Sequence, residues 1–570
     1  MIARRRARIV VWTRRAVQGI AFVLFLSLLL ATRSPADGPP DGALSLFFDL
    51  DPLLLAATWL SARSLEGLSL LALATVVLTI LLGRVFCGWI CPFGTLHNMI
   101  ATIRSRKTRL LSGGDAFSRW QRAKYYVLFG LAAMAILGAH WIGVFDPIAL
   151  FYRSVAVAVL PSLHYSVEAI STAIYHQDPR AGPLSLASIS EPVYRLLRDH
   201  VFVVKRAAFA GSTLVFLVFL AAALFNLFRT RFWCRYVCPL GALLGLFAGR
   251  TLLRLRSENE ACGGCNLCRL ACPAAAQPEL PGKWLPVECF GCWNCVAACK
   301  QDAIDFRWES PFRKTPAGSI DLRRRAVLAS AFGGAGALLA MRLSPRAQAR
   351  TYNPELIRPP GSRPEASFLD RCVQCGMCMK VCPTNALHPA TLQGGLEGIW
   401  TPVLVPRLGY CEYECNLCGA VCPTSAILPL PLPEKKEVRI GLALIDTTRC
   451  LPYAYERDCI VCEEHCPIPD KAIYFVETPV RLRDGTVRVL KQPRMDPDLC
   501  TGCGICEYVC PFKDLAAIRV TSANESRHPR NRPLLPVFPG AGGYEDKEGS
   551  EEEPRGREAA GSWAGGGGSL

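Results

Sequence analysis

Twenty-eight cysteines recur along this 570-residue chain in a few short spacings. Three sets follow C-x2-C-x2-C-x3-C-P: Cys262, Cys265, Cys268 and Cys272; Cys372, Cys375, Cys378 and Cys382; Cys500, Cys503, Cys506 and Cys510. Cys289, Cys292, Cys295 and Cys299 keep the spacing, with Lys300 in place of the proline. Two sets depart further. Cys411, Cys415, Cys418 and Cys422 open with three intervening residues, and eight residues separate Cys450 from Cys459, Cys462 and Cys466. Three thiolates two residues apart can wrap three irons of one cube, while the fourth, starting a short helix, reaches a neighbouring cube. Six quartets therefore predict six [4Fe-4S] clusters. Zinc sites use two separated pairs instead of a run of three plus one. A disulfide scaffold fits small secreted domains, not repeated ligand spacings.

Four cysteines are left over. Cys87-Gly88-Trp89-Ile90-Cys91-Pro92 and Cys234-Arg235-Tyr236-Val237-Cys238-Pro239 are both C-x3-C-P, and each runs on into Gly-x-Leu, Gly94-Thr95-Leu96 and Gly241-Ala242-Leu243. The repeat predicts one shared redox or metal site, a seventh, of Cys87, Cys91, Cys234 and Cys238. The alternative is two structural turns with buried, inert thiols.

Positioning these thiols is the task of apolar segments. Apolar residues make up 51% of the chain, concentrated before residue 230. Uncharged runs over Ala16–Thr32, Gly67–Gly83, Tyr125–Phe145 and Ala207–Phe228 approach the length of a bilayer-crossing helix. Arg4, Arg5, Arg6, Arg8, Arg14 and Arg15 place the N-terminus in the cytoplasm, opposite an acidic loop with Asp37, Asp41, Asp49 and Asp51. Arg104, Arg106, Lys107, Arg109, Arg119, Arg122 and Lys124 mark a second cytoplasmic loop, and Arg229, Arg231, Arg235, Arg250, Arg254 and Arg256 a third. The stretch Asp146–Arg206 is expected as a long outer loop. The net charge of +17 thus crowds beside apolar blocks and forms no stripe for nucleic acid.

A fifth apolar stretch, Ala326–Met341, follows Arg323, Arg324 and Arg325 and has the form of a mid-chain twin-arginine signal. Ala347-Gln348-Ala349 supplies a small-x-small cleavage pattern. An ordinary helix with a basic flank sends the rest of the chain outward equally well. Sixteen cysteines exported unfolded would meet an oxidising compartment before iron arrived, so a route for prefolded cofactor proteins suits them. Gly333, Gly334 and Gly336 fit a weakly apolar helix better than a nucleotide loop, because no strand precedes them. From Ser526 onward the Gly-, Pro- and Glu-rich composition predicts a disordered tail.

All six quartets resemble the bacterial two-cluster ferredoxins. That resemblance implies that Cys262, Cys265 and Cys268 share a cluster with Cys299, and Cys289, Cys292 and Cys295 one with Cys272. The four later motifs, with Arg457-Asp458-Cys459-Ile460-Val461-Cys462-Glu463-Glu464-His465-Cys466-Pro467, are similar to periplasmic four-cluster ferredoxins of the NapG and MauM type. Related proteins imply pairing of the first motif with the fourth and the second with the third. Cys510 then joins Cys372, Cys375 and Cys378; Cys382 joins Cys500, Cys503 and Cys506; Cys466 joins Cys411, Cys415 and Cys418; and Cys422 joins Cys450, Cys459 and Cys462. Residues 1 to about 310, with the C-x3-C-P repeats and two trailing cluster motifs, resemble the NapH and MauN membrane quinol dehydrogenase subunits. The whole resembles a fusion of two partner subunits.

The expected fold is an α-helical membrane domain, four spans plus a fifth signal-like span, with appended α+β ferredoxin-like [4Fe-4S] domains. The expected division is 1–256 for the membrane domain, 257–310 for a cytoplasmic two-cluster domain, 311–350 for the signal, 351–525 for a periplasmic four-cluster domain and 526–570 for the tail. The resemblance implies a quinol dehydrogenase or electron-transfer subunit of a bacterial inner membrane. It would draw on the quinone pool and pass electrons to a periplasmic redox protein such as a reductase, of nitrate reductase type, or a cytochrome. Two alternatives stand: input from cytoplasmic ferredoxin to the pool or periplasm, and a redox maturation factor for an oxidase or copper enzyme, against which the four outer clusters argue. His140, near the outer end of the third run, is a candidate quinol proton acceptor. No C-x-x-C-H for covalent haem is present.

Overall fold

The computed structural model describes residues 2–33, 42–64, 69–103, 116–177, 180–181, 184–202, 207–257, 262–279, 283–309, 322–343, 353–481 and 485–528. Its first element is a 30-residue helix, Ile2–Ala31, whose arginine-rich first half leads into an apolar second half. Helices Pro52–Ala62 and Pro147–Ser154 begin alike: a proline at the first turn fits the helical φ, and an aspartate ahead of it accepts the otherwise orphaned amides. Asp51 accepts from Leu53 N and Leu54 N at 2.8 and 3.4 Å, and Asp146 from Ile148 N and Ala149 N at 2.9 and 2.8 Å. Asp51 is therefore a fully buried cap and not a charge in a solvated loop.

Each of the five apolar runs carries a helix, but their lengths differ from expectation. Ile2–Ala31 and Arg324–Leu343 are long and apolar enough to cross a bilayer, whereas Ala72–Leu82, Ala123–Ile136 and Ser212–Phe228 have 11, 14 and 17 residues. A third helix passing that test, Pro147–Gln177, lies in the segment expected as an outer loop. Arg153 interrupts its apolar run and hid it. That arginine is fully buried, donates to Gln374 O at 2.6 Å and lies 4.4 Å from the centre of the Trp400 ring. A further pair, Ala43–Asp49 and Pro52–Ala62, bends by 83°. Among the described residues, three helices, or four with the bent pair taken as one span, meet this length and composition, so the count of four spans plus one is not established by them.

The helices share a direction that matters for function. Near the start of Ile2–Ala31, Arg4 donates to Ala297 O at 3.4 Å and Arg14 to Asn294 at 3.4 Å, both within the Cys289–Cys299 motif. Ala123–Ile136 runs from Lys124, paired with Glu288, to Gly138, whose carbonyl accepts from Arg342 at the far end of Arg324–Leu343. These two helices touch backbone to backbone: a Cβ at Gly334 would lie 2.2 Å from Gly130 O. That contact is why glycine suits this position. The motifs of residues 262–299 therefore cap one end of the helices. Those of residues 372–510 cap the other, through Gln374 to His140 O at 3.2 Å and Arg342 to Glu397 at 2.7 Å.

Short helices and two-stranded antiparallel sheets build both thiol-bearing regions. Leu253–Ser257 pairs with Ile304–Trp308, so this sheet crosses the 256/257 boundary. Leu387–Pro389 pairs with Pro402–Leu404, Ile473–Arg481 with Val487–Met495, and Leu442–Ile445 with Ile518–Thr521. At the start of the expected tail, Ser526 N donates to Arg439 O at 2.8 Å and Arg527 pairs with Glu365 at 3.0 Å. The tail beyond His528, Arg104–Arg109 and Ala347–Ala349 lie outside the described residues.

Candidate thiol centres

In four of the six quartets the residue after the second cysteine has a left-handed backbone: Asn266, Trp293, Gly376 and Gly504, with φ of 55°, 59°, 84° and 88°. That turn reverses the loop around its thiols and starts a short helix carrying the third cysteine. In the two divergent quartets the equivalent Asn416 and Ile460 have φ of −131° and −122°. The altered spacing and the altered backbone coincide. The fourth cysteine accepts a backbone amide in four sets: Cys272 from Ala276 at 3.4 Å, Cys382 from Ala386 at 3.3 Å, Cys422 from Ile427 at 3.4 Å and Cys510 from Ala517 at 3.4 Å. Such bonds favour a negatively charged sulfur.

The thiols gather three plus one. Cys268 lies in electrostatic contact with Cys299, and Cys272 with Cys289 and Cys292, as the two-cluster resemblance implies. Cys262 and Cys265 are the two exposed thiols. In the later motifs the pairing differs from expectation. Cys422 lies beside Cys372, Cys375 and Cys378, and Cys382 beside Cys411, Cys415 and Cys418. Cys510 lies beside Cys450, and Cys466 beside Cys500 and Cys503. First therefore meets second and third meets fourth. The physical reason is connectivity: the strand pairs Leu387–Leu404 and Ile473–Met495 fold each motif back onto its successor, which closes shorter loops.

The donor set suits a charged multi-metal core. Burial first, then a neighbouring thiol, pushes Cys289, Cys450 and Cys462 up to about 12, so the packed sulfurs resist ionising until a cation balances them. Cys450, Cys459, Cys462 and Cys510 line one cavity whose other walls include Leu451, Phe512 and Ile518. Among the described residues no three Cys, His, Asp or Glu converge to hold a single metal ion.

The C-x3-C-P cysteines form one fully internal group. Cys87 lies in a π-type turn, Phe86–Ile90, and Cys238 caps the helix Pro239–Ala248, accepting from Gly241 N at 3.2 Å. Cys91 and Cys238 each feel the charges of Cys87 and Cys234. The two segments, remote in sequence, thus bring four buried thiols within electrostatic reach of one another.

Two arginines that sequence reasoning counted as flanking charge, or passed over, belong to this group. Arg84 and Arg231 both stand three residues before the first cysteine of a repeat, so the full pattern is R-x2-C-x3-C-P-x-G. Arg231 crosses to the first repeat, donating to Cys87 O at 2.8 Å and Asn98 at 2.9 Å. Arg84 crosses to the second, where a Cβ on Gly241 would lie 2.6 Å from its Nη2. The repeated Arg and Gly were a readable signal. Lys124 and Arg235, also counted as orienting charges, are fully buried: Lys124 pairs with Glu288, and Arg235 donates to Gln121 at 3.0 Å.

Aromatic rings connect this group to the opposite end. Trp233, next to Cys234, lies 6.1 Å from Phe93, which lies 5.9 Å from Phe151. Phe151 stacks on Phe25 at 5.1 Å, and Phe25 meets Tyr152 at 6.1 Å. Tyr152 is in electrostatic contact with Cys375 and Cys378. His140 stands apart from this series, its ring bonded to Thr58 at 3.0 Å and fully enclosed.

Comparison with known proteins agrees with the donor sets. A family model described as a 4Fe-4S binding domain matches residues 66–110 and 212–257, which contain the four C-x3-C-P cysteines. Two others with that description match residues 368–388 and 492–517. The ferredoxin-type protein NapG of Escherichia coli is 38% identical over 197 residues, 34% of this chain and 83% of that protein. The methylamine utilization ferredoxin-type protein MauM of Paracoccus denitrificans is 35% identical over 207 residues, 36% of this chain and 89% of that protein. The uncharacterized protein MJ0749 of Methanocaldococcus jannaschii is 27% identical over 231 residues, 40% and 67% of the two chains. No solved structure matches.

Proposed function

For a chain that belongs to the NapG and MauM family of ferredoxin-type iron–sulfur electron-transfer proteins, we propose the specific role of carrying electrons from membrane quinol to a periplasmic reductase or cytochrome. One arrangement carries this reading: two populations of grouped thiols at opposite ends of the same apolar helices, with a four-thiol group and packed aromatic rings between them. Iron–sulfur clusters supply one-electron storage and transfer when bound. The six quartets are their ligands, and Cys87, Cys91, Cys234 and Cys238 hold a seventh centre. Residues 1–310 act as a NapH- or MauN-like module fused to the NapG-like one, in an inner membrane with residues 262–299 facing the cytoplasm and 372–510 the periplasm.

The chain's own residues prepare these centres in stated ways. Amides at Ala276, Ala386, Ile427 and Ala517 offset thiolate charge, and Arg84 and Arg231 place two cations within electrostatic reach of Cys234 in the membrane-side group. The test uses anaerobically purified full-length protein and a reduced menaquinone analogue. Cluster absorbance should bleach with quinol and return when an oxidised periplasmic cytochrome is added. The aromatic series from Trp233 to Tyr152 joins the two ends without setting a direction, so it serves equally a second reading, in which a cytoplasmic ferredoxin feeds the inner pair. Bleaching by reduced ferredoxin, with none by quinol, would establish that direction instead.

A further inference from the structure

A cavity lies where four segments meet beside the second of the later thiol sets. Its walls come from the end of Ile2–Ala31 with Arg33, the middle of Pro147–Gln177, the stretch around Phe202 and Phe209, and the segment Met379–Asn385. Leu160, Phe202 and Phe209 give it apolar sides, and both phenylalanines are nearly buried. The helix wall is irregular here: Val155–Val159 winds as a π-type turn, which puts Ala156 on the cavity. Such turns interrupt helices at functional positions.

Two polar features point to a ligand. Cys382, the thiol that joins Cys411, Cys415 and Cys418, itself lines the cavity. Asn385 lines it too, is 9% exposed, and donates through Nδ2 to Ala208 O at 2.8 Å, while its Oδ1 is buried without a hydrogen-bond partner. An enclosed acceptor with nothing to accept costs stability that a donating ligand restores. Half-buried Arg33 and Lys380 add two cations at the cavity.

A quinol headgroup meets these demands together. It is a flat ring with an apolar tail, so it needs apolar walls contiguous with lipid-facing helices. Its hydroxyls donate hydrogen bonds, and its oxidation passes through negatively charged forms that nearby cations stabilise. We propose that this cavity is the quinol-oxidising site, with a hydroxyl donating to Asn385 Oδ1 and electrons leaving past Cys382. This rests on quinol being the donor, as proposed above. In the step, quinol loses two electrons and two protons and becomes quinone. The two electrons would be taken up singly by oxidised iron–sulfur centres that Cys382 and its neighbouring thiols would hold, and the two protons would pass to water.

The probe is 2-heptyl-4-hydroxyquinoline N-oxide, a quinol analogue whose fluorescence is quenched on binding, titrated into anaerobically purified full-length protein. Asn385→Leu removes the acceptor and should weaken the probe about 10-fold. Leu160→Trp fills the cavity from the helix Pro147–Gln177 and should abolish quenching. Both variants should be reduced by dithionite as the wild type is, yet bleach more slowly with menaquinol. Should Asn385→Leu lose iron, Leu160→Trp decides alone. Unchanged probe affinity in Leu160→Trp overturns the site while leaving quinol as donor. A wild type that dithionite bleaches, but that neither binds the probe nor responds to menaquinol, overturns the donor itself.

Discussion

Arg84 and Arg231, 147 positions apart in sequence by their numbering, close on one contact: their guanidiniums lie 5.0 and 4.6 Å from the centre of the same Phe290 ring. Phe290 stands between Cys289 and Cys292, so the two C-x3-C-P repeats are tied directly to the neighbouring thiol quartet. Gly88, inside the first repeat, allows that approach: a Cβ there would lie 2.4 Å from Phe290 O. Each arginine reaches across to the other repeat, so neither half of the group is complete alone.

Arg231→Ala should destabilise the protein by about 2–4 kcal/mol, because it strips buried hydrogen bonds from Cys87 O and Asn98 and leaves polar groups unpaired. Arg231→Lys keeps the charge but not the planar fork, and should recover only part of the loss. Thermal unfolding in detergent measures the stability. Iron analysis should show selective loss at the membrane group, with the other quartets still loaded.

Glu288 is 1% exposed and neutralises two buried cations, Arg84 at 3.4 Å and Lys124 at closer range. Glu288→Gln leaves both uncompensated, a cost of about 3–5 kcal/mol. The paired change Glu288→Gln with Lys124→Met should recover part of it. A double-mutant cycle on unfolding midpoints checks this, and additive losses would show that the two side chains do not interact.

Iron counting tests both the number of centres and their pairing. Six quartets give about 24 irons per chain, and a filled membrane group raises the total to about 28. Cys91→Ser with Cys238→Ser should remove about 4. Cys372→Ser with Cys422→Ser should also remove about 4, since these thiols share one group, whereas Cys372→Ser with Cys510→Ser should remove about 8. The reverse result would restore first-to-fourth pairing.

Replacing Arg324 and Arg325 by Lys preserves charge and separates two export routes. A twin-arginine receptor should reject the variant, leaving residues 353–528 inaccessible to protease added to spheroplasts, whereas the wild type is digested. Insertion driven by charge alone predicts equal digestion. A protected wild type would reject the outward orientation.

The 4Fe-4S character of the motifs was legible in the sequence because ligand spacing is local: C-x2-C-x2-C sets which sulfurs a single loop can present. The apolar runs were legible for the same reason, and each carries a helix. Which motif meets which was not, since spacing within a quartet says nothing of the strands Leu387–Leu404 and Ile473–Met495 that fold neighbours together. Nor did composition distinguish a charge facing solvent from one satisfied inside. Arg153 broke an apolar pattern and concealed the helix Pro147–Gln177, although Gln374 O and the Trp400 ring, more than 200 residues away in sequence, accept it. Lys124 and Arg235 read as membrane-orienting charges, yet their partners Glu288 and Gln121 hold them in the core. Local spacing determined the chemistry; only tertiary contacts, which bring counter-charges and acceptors from distant segments, decided which charges could be buried and which centres could be neighbours.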